Sequence, residues 1–483
     1  MRPASPSIYL VSCDGLPMSG IVEEAVKLGH LFHRRGWRVH LDLGYDIKAR
    51  TAWFGRPDPD PSPLPPWVRL HRVARLREME GYDAQFLLDL VERGVRLPDD
   101  PARDGLRARA AAMAGRLAGW LVDEWRRLDV RFVVVENGTI PENLVWTWAL
   151  RRAAAAYGRE RGLGRYVLWR DHDVMWYYVH GRYGDPPYPN VPRPAPSPHV
   201  LHAATNAAAA ERLSAWAGVP VEVFPFFHTF GRPRVTERNR GLREALGIDP
   251  AALVIARCTR VVPPKRIDRD LHLLAEMKRR MDGGDRPVCL VVTGPTDENA
   301  AEHRRLVEMA RALGVEDQVR WAGGMLSFEE VLNGGRRSAG ARWSVRDLLA
   351  HAELSSFLTS HRFEGYGLPP GEAIAAGVPF ISSRYELYDA VWGRHGFRTL
   401  PFDISPADTE LPGRDYAERV LAYLRDPGRR RADAAFNQRL GRPLLSIDAF
   451  EDRFAALFPG ILADFPRSPR PPRRRTSHLA HDA

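Results

Sequence analysis

His361-Arg-Phe-Glu-Gly-Tyr-Gly-Leu-Pro-Pro-Gly-Glu-Ala-Ile-Ala-Ala-Gly-Val-Pro379 sets two carboxylates, Glu364 and Glu372, eight positions apart across a Gly-Tyr-Gly turn and a proline pair. Proline suits the first turn of a helix, where its missing N–H would have no partner. The spacing therefore predicts a helix starting near Pro369 or Pro370, with Glu364 in the preceding loop and Glu372 in the opening turn. The free N–H groups and partial positive charge of such a helix start favour a phosphate. Gly365 and Gly367 allow close approach of backbone to a ligand. Carboxylates beside a phosphate cradle would repel the phosphate; they suit hydroxyl groups. Hydroxyls and phosphate in one ligand suggest a nucleotide sugar. Taken singly, each glutamate reads equally well as a favourable charge at a helix start.

Outward from this stretch, apolar runs alternate with helical patterns. In the second half, Leu253–Arg257, Val288–Thr293, Val319–Ala322, Leu354–Leu358 and Pro379–Ser382 read as strands. In the first half, Ile8–Ser12, Arg38–Leu43, Arg131–Glu136 and Tyr166–Trp169 do the same, with an amphipathic helix over Ile21–Arg35 capped by Ser19. This alternation predicts an α/β protein with two parallel-sheet, Rossmann-like domains, whose ligands bind at the carboxyl ends of the strands. The expected division is an acceptor-side domain over 1–230, a nucleotide-side domain over 231–442, a last helix over 443–465 and a basic tail over 466–483. Residues 48–70 read as a surface excursion, 181–198 as a proline-rich loop and 326–342 as an inserted loop.

Thr259-Arg-Val-Val-Pro-Pro-Lys-Arg-Ile-Asp268 follows one of these strands. Arg260 and Lys265, separated by a rigid Val-Val-Pro-Pro, supply a fork of donors and a point charge suited to a diphosphate leaving group. Alone, the pair also reads as a solvated basic turn. Only four of the 70 basic residues are lysine, so a lysine in this loop stands out. In the first half, Arg170-Asp-His-Asp-Val-Met-Trp176 follows the strand ending at Trp169. Its Asp-x-Asp reads as a metal ligand pair, as loop residues bonding nearby backbone, or as His172 and Asp173 positioning an acceptor. With cations already at Arg260 and Lys265, a metal is redundant and none is expected.

The combination of motifs resembles the retaining family 4 glycosyltransferases, which have the GT-B architecture of two Rossmann-like domains facing across a cleft. The resemblance covers roughly residues 8–460 and rests on E-x7-E, on Arg260 and Lys265 in the same chain order, and on His172-Asp173. It implies that Glu364 contacts the donor sugar and Glu372 the ribose. Donor contacts would also come from Arg260, Lys265, Gly365, Tyr366, Gly367 and Leu368. Gly20, Glu136, Asn137, His172 and Asp173 would line the acceptor side, and the catalytic set would be His172, Glu364, Arg260 and Lys265. Same-face attack, with the departing phosphate taking the acceptor's proton, is implied as well. Val135-Glu-Asn-Gly-Thr-Ile-Pro141, His172–Trp176 and Ser383–Tyr388 are similar to the mannosylglucosylglycerate synthase branch, which implies GDP-mannose as donor, with UDP-glucose as the alternative. The chain departs from that branch at Trp176-Tyr-Tyr and at Glu136-Asn137, where an acceptor would sit. No cofactor is required in this reading.

Composition sets the remaining bounds. The 483 residues, 44% hydrophobic and 27% charged, allow two domains with cores of their own. Of the net charge of +10, the tail from 466, with five Arg and one Asp, supplies +4. The rest is spread thinly, which argues against a nucleic-acid partner. The tail itself suits transient contact with acidic surfaces. No apolar run reaches membrane-span length. Cys13, Cys258 and Cys289 lack disulfide or zinc spacing, so the cytoplasm is the expected compartment. Two rivals remain: a nucleotide-sugar 2-epimerase, which has a related fold and no acceptor, and a catalytically silent sugar-nucleotide-binding protein.

Overall fold

The structure, a computed structural model, describes residues 5–12, 20–43, 64–71, 79–139, 141–172, 181, 183–325 and 343–461. Asp173, the Ser19 cap, the 326–342 insertion and the basic tail lie outside the described residues.

Apolar runs buried on both faces form parallel strands, and here they build two sheets. The first contains β1 (Ser7–Ser12), β2 (Arg38–Asp42), β3 (Val68–His71), β4 (Val130–Glu136), β5 (Val167–Asp171), β6 (Val200–Ala204) and β7 (Glu222–Val223), in the order β3-β2-β1-β4-β5-β6-β7. The second contains β8 (Leu253–Arg257), β9 (Val288–Val292), β10 (Val319–Trp321), β11 (Leu354–Phe357), β12 (Phe380–Ser383) and β13 (Leu400–Phe402), in the order β10-β9-β8-β11-β12-β13. The pairings within both are parallel. Each sheet reverses its order beside its first strand, where β1 meets β4 and β8 meets β11. Such a reversal opens a crevice at the carboxyl ends of the strands. The predicted two-domain α/β fold is the observed one.

The 48–70 stretch, read as a surface excursion, contributes β3 at the sheet edge and the buried Leu64. The proline-rich segment seats Tyr183, Tyr188 and Val191 against the first core. β6, β7 and β13 were not anticipated; the last two are only two and three residues long.

Helix α1 (Gly20–His33) follows β1 and is buried almost all round, including Glu24 and Lys27, which pair with each other. Helix α2 (Leu368–Ala376) starts at Leu368, with Gly367 at its N-cap and Gly377 closing it. Near the end of the chain, α3 (Pro427–Leu445) is followed by α4 (Ile447–Leu457). Helix α4 does not stay with the second sheet. Its Phe450 and Phe454, with Phe458 just beyond, enter the first domain's core. Phe132 lies 5.1 Å from the Phe454 ring and 4.8 Å from Phe458, and Phe227 lies 4.5 Å from Phe450. Arg35 closes the contact on Glu451 at 2.8 Å. The chain thus crosses between domains at two places. They run side by side: the His228 N–H donates to the Leu445 carbonyl at 2.7 Å, and His228 bridges to Ser446.

Candidate functional site

The Gly-Tyr-Gly loop is held from below by its carbonyls. Asn206, across the crevice, donates from Nδ2 to the Gly365 carbonyl at 2.9 Å. Trp392 Nε1 donates to the Tyr366 carbonyl at 3.0 Å, and Tyr385 Oη donates to it as well. Gly367 has φ +82°, and a Cβ there would stand 2.8 Å from the Phe357 ring, so only glycine fits. With the carbonyls engaged, the N–H groups of Glu364–Leu368 make no loop or turn hydrogen bond among the described residues. They are available to an anion, as are the few donors that the helix start retains after Pro369 and Pro370. Because α2 begins at Leu368, Glu372 falls in its second turn rather than its opening turn. The Tyr366 side chain is buried, its ring 4.8 Å from Phe226, so the residue offers a ligand backbone only.

Lys265 Nζ reaches Glu364 Oε2 at 2.6 Å, bringing together the loop after β8 and the loop before α2. Its backbone is fixed by Arg257, which is fully buried, donates to the Lys265 carbonyl and to the Ser356 carbonyl (3.1 Å), and pairs with Asp270 at 2.9 Å. Arg257 is therefore a strut beneath the loop. Arg266, too, is engaged elsewhere, on Asp268 and Asp408. Arg260 is half exposed and pairs with Glu298, so it does not share a carboxylate with Lys265. Gly294, at the end of β9, lets this loop lie flat: a Cβ there would meet Thr259 O at 2.4 Å and Arg260 Cα at 2.7 Å. A glycine directly after an apolar strand was the available signal for that close approach.

On the opposite wall, β4 and β5 end side by side. Arg170 grips Glu136 with two hydrogen bonds, Nε to Oε2 at 2.9 Å and Nη2 to Oε1 at 2.6 Å. His172 Nε2 lies 2.6 Å from the same Oε2. Burial pushes the Glu136 carboxyl up, but Arg170 and His172 together overcome it and hold it down at about 2. Asn137, at φ +62°, receives the His172 N–H on its Oδ1 at 3.2 Å. Glu136 and Asn137 were expected to line the cleft. They do not, since both are 0% exposed and act behind His172. Asp171 accepts from the Thr139 N–H (3.0 Å) and hydroxyl (2.6 Å), and burial lifts its carboxyl to about 6.

The two walls touch. A Cβ on Gly20 would lie 3.1 Å from Leu368 Cδ1. The His172 ring meets Phe226 edge-on at 4.7 Å, and Phe226 meets Tyr366 in turn. Gly371 lies against buried His228, whose Nε2 would be 2.3 Å from a Cβ at that position. Gly20 thus lies against Leu368 directly, and His172 reaches Tyr366 through Phe226. Among the described residues, no group of three or more His, Cys, Asp or Glu is arranged to hold a metal ion. Nor is any described helix long and apolar enough to cross a membrane.

No family model matches the chain. The chain is 32% identical over 185 residues to a D-inositol 3-phosphate glycosyltransferase of Actinosynnema mirum, covering 38% of this chain and 40% of that one. It is 30% identical over 188 residues to an MMP alpha-(1->4)-mannosyltransferase of Mycolicibacterium hassiacum, covering 38% and 39%. The chain thus spans about two fifths of the length of these curated relatives. Among solved structures, a glycosyltransferase from Rickettsia africae superposes with TM-score 0.55 at 10% identity, over 95% of this chain and 99% of that one. Anabaena HepE in complex with UDP and glucose gives 0.53 at 12% identity, over 94% and 99%. The fold is GT-B, and the relatives are glycosyltransferases.

Proposed function

We propose that the protein is a retaining glycosyltransferase that moves a hexose from a nucleoside-diphosphate sugar to a hydroxyl acceptor. One observation carries the reading: the Lys265–Glu364 pair stands at the head of a loop whose N–H groups make no loop or turn hydrogen bond among the described residues. Residues 231–442 would hold the donor, with Lys265, Arg260 and the 365–368 backbone on the diphosphate, Glu364 on the sugar and Glu372 on the ribose. Arg260 would leave Glu298 to do so. Residues 1–230 would present the acceptor, with Gly20 and His172 at the cleft and Asp173 following. As the bond between the anomeric carbon and the donor phosphate breaks, its electron pair goes to the phosphate oxygen. The acceptor oxygen then bonds the anomeric carbon on the same face and passes its proton to that phosphate. The positive charges and N–H groups stabilise the departing diphosphate.

The mannosyltransferase relative and the branch resemblance favour GDP-mannose; the neighbour holding UDP and glucose favours UDP-glucose. A cytoplasmic location is part of the reading and rests on cysteine usage. Thermal-shift binding of UDP, GDP and ADP, with and without EDTA, tests it, since a ligand of the folded state raises the melting temperature. Stabilisation by GDP alone, indifferent to EDTA, is expected for the mannosyl reading, and by UDP alone for the glucosyl one. No stabilisation by any nucleotide overturns both.

A further inference from the structure

Glu136 is sealed from solvent together with Arg170. A buried carboxylate away from the ligand needs a purpose, because burying a charged pair is at best neutral for stability. The purpose is legible in the hydrogen-bond chemistry. Both Glu136 oxygens accept from Arg170, and Oε2 accepts a further contact from His172 Nε2 at 2.6 Å. An ionised carboxylate only accepts and a guanidinium only donates. The contact at Nε2 therefore closes only with the hydrogen on that nitrogen. Because Arg170 already balances Glu136, a neutral imidazole leaves the trio without net charge.

Three further contacts fix the backbone around the ring and one of its faces. Asn137 Oδ1 takes the His172 backbone N–H, the Asn137 N–H donates to the Arg170 carbonyl at 2.7 Å, and Phe226 packs edge-on at 4.7 Å. His172 Nδ1 makes no hydrogen bond among the described residues, and it is not one of the polar atoms sealed from solvent.

We infer that Glu136 and Arg170 are positioning residues that fix His172 as its Nε2–H tautomer. Nδ1 then presents a lone pair to the crevice, and the group it receives is a sugar hydroxyl, not a phosphate or carboxylate. A lone pair attracts an O–H and repels an anion, so a phosphorylated acceptor must place its phosphate elsewhere. This rests on the reading of the crevice as a sugar site, but the tautomer itself does not.

The test is 15N NMR of the full chain labelled at histidine, with His172→Gln assigning the resonance. At neutral to alkaline pH the expected spectrum has a protonated Nε2 and a bare Nδ1. A protonated Nδ1, alone or with Nε2, overturns the lock. With UDP or GDP bound, adding mannose or glucose is expected to shift Nδ1 and adding inorganic phosphate is not. A shift with phosphate, or none with either hexose, overturns the recognition. In Glu136→Gln the two tautomers should mix and hexose binding weaken roughly tenfold, the scale of one hydrogen bond, while UDP and GDP bind as before. An unmixed Nε2–H tautomer in that variant removes Glu136 from the lock. If the variant does not fold, the wild-type spectrum decides. Failure of UDP and GDP to bind alongside an intact Nε2–H signal refutes the nucleotide-sugar reading and leaves the lock standing.

Discussion

Separating the two partners of the Lys265–Glu364 pair tests the site assignment most sharply, because their expected roles pull in opposite directions. At 2.6 Å, with side-chain exposures of 22% and 12%, the pair is shielded enough to count as a charge-assisted hydrogen bond. Such bonds are worth about 1.5–3 kcal/mol. If Lys265 gives that bond to a diphosphate, Lys265→Ala weakens UDP or GDP binding by about 10- to 150-fold. Glu364 competes with the diphosphate for the same ammonium. Glu364→Gln, which keeps the shape and removes the charge, therefore leaves nucleoside-diphosphate affinity unchanged or tightens it up to about tenfold. The same substitution weakens a contact to the sugar and lowers turnover by about 10²–10³. Calorimetric titration with UDP and GDP measures the first effect, and initial rates of nucleotide release from GDP-mannose or UDP-glucose the second. Loss of nucleotide in Glu364→Gln as strong as in Lys265→Ala would refute these roles. Glu364 would then be a brace for Lys265 and not a reader of hydroxyls.

Gly294→Ala would drive a Cβ into the Thr259 carbonyl at 2.4 Å, displacing the Arg260–Lys265 loop. It should cost about 1–3 kcal/mol of stability and lower turnover by about a hundredfold; wild-type kinetics would show the loop to be irrelevant. Asp171→Asn tests a pH effect. The folded state raises that carboxyl from 3.8 to about 6, so its contribution to stability is present below the unfolded value and lost as pH rises through the folded one. The displacement corresponds to about 3 kcal/mol. Urea unfolding at about pH 4 and about pH 8 should show the variant losing less stability on alkalinisation than wild type, and equal losses would remove Asp171 as the cause. Phe454→Ala, in the core at 1% exposure, should cost about 3–5 kcal/mol by equilibrium unfolding. A change below about 1 kcal/mol would mean that α4 is only loosely docked.

The α/β alternation was legible because parallel strands buried on both faces are written as unbroken apolar runs, as in Arg131–Glu136. The start of α2 was legible to within a residue or two because proline tolerates so few places in a helix. What escaped the sequence depends on partners far along the chain. A glutamate ending a strand looks the same whether it faces a ligand or, as Glu136 does, an arginine on the next strand. Arg260 gives no local sign that Glu298 will hold it. The strands β7 and β13 are too short to carry a period, and nothing within 443–465 states that its aromatic residues belong to the core of the first sheet.

The return of α4 also bears on the order of events during synthesis. Chains fold as they emerge, generally from the N-terminus. Here strands β1 to β7 emerge with Phe132, Phe224 and Phe227 awaiting Phe450, Phe454 and Phe458. The core on one face of the second sheet draws only on residues 253–424 and closes without help from either terminus. A growing chain must therefore carry an uncapped aromatic face through the translation of more than two hundred residues. The domain that is made first is completed last.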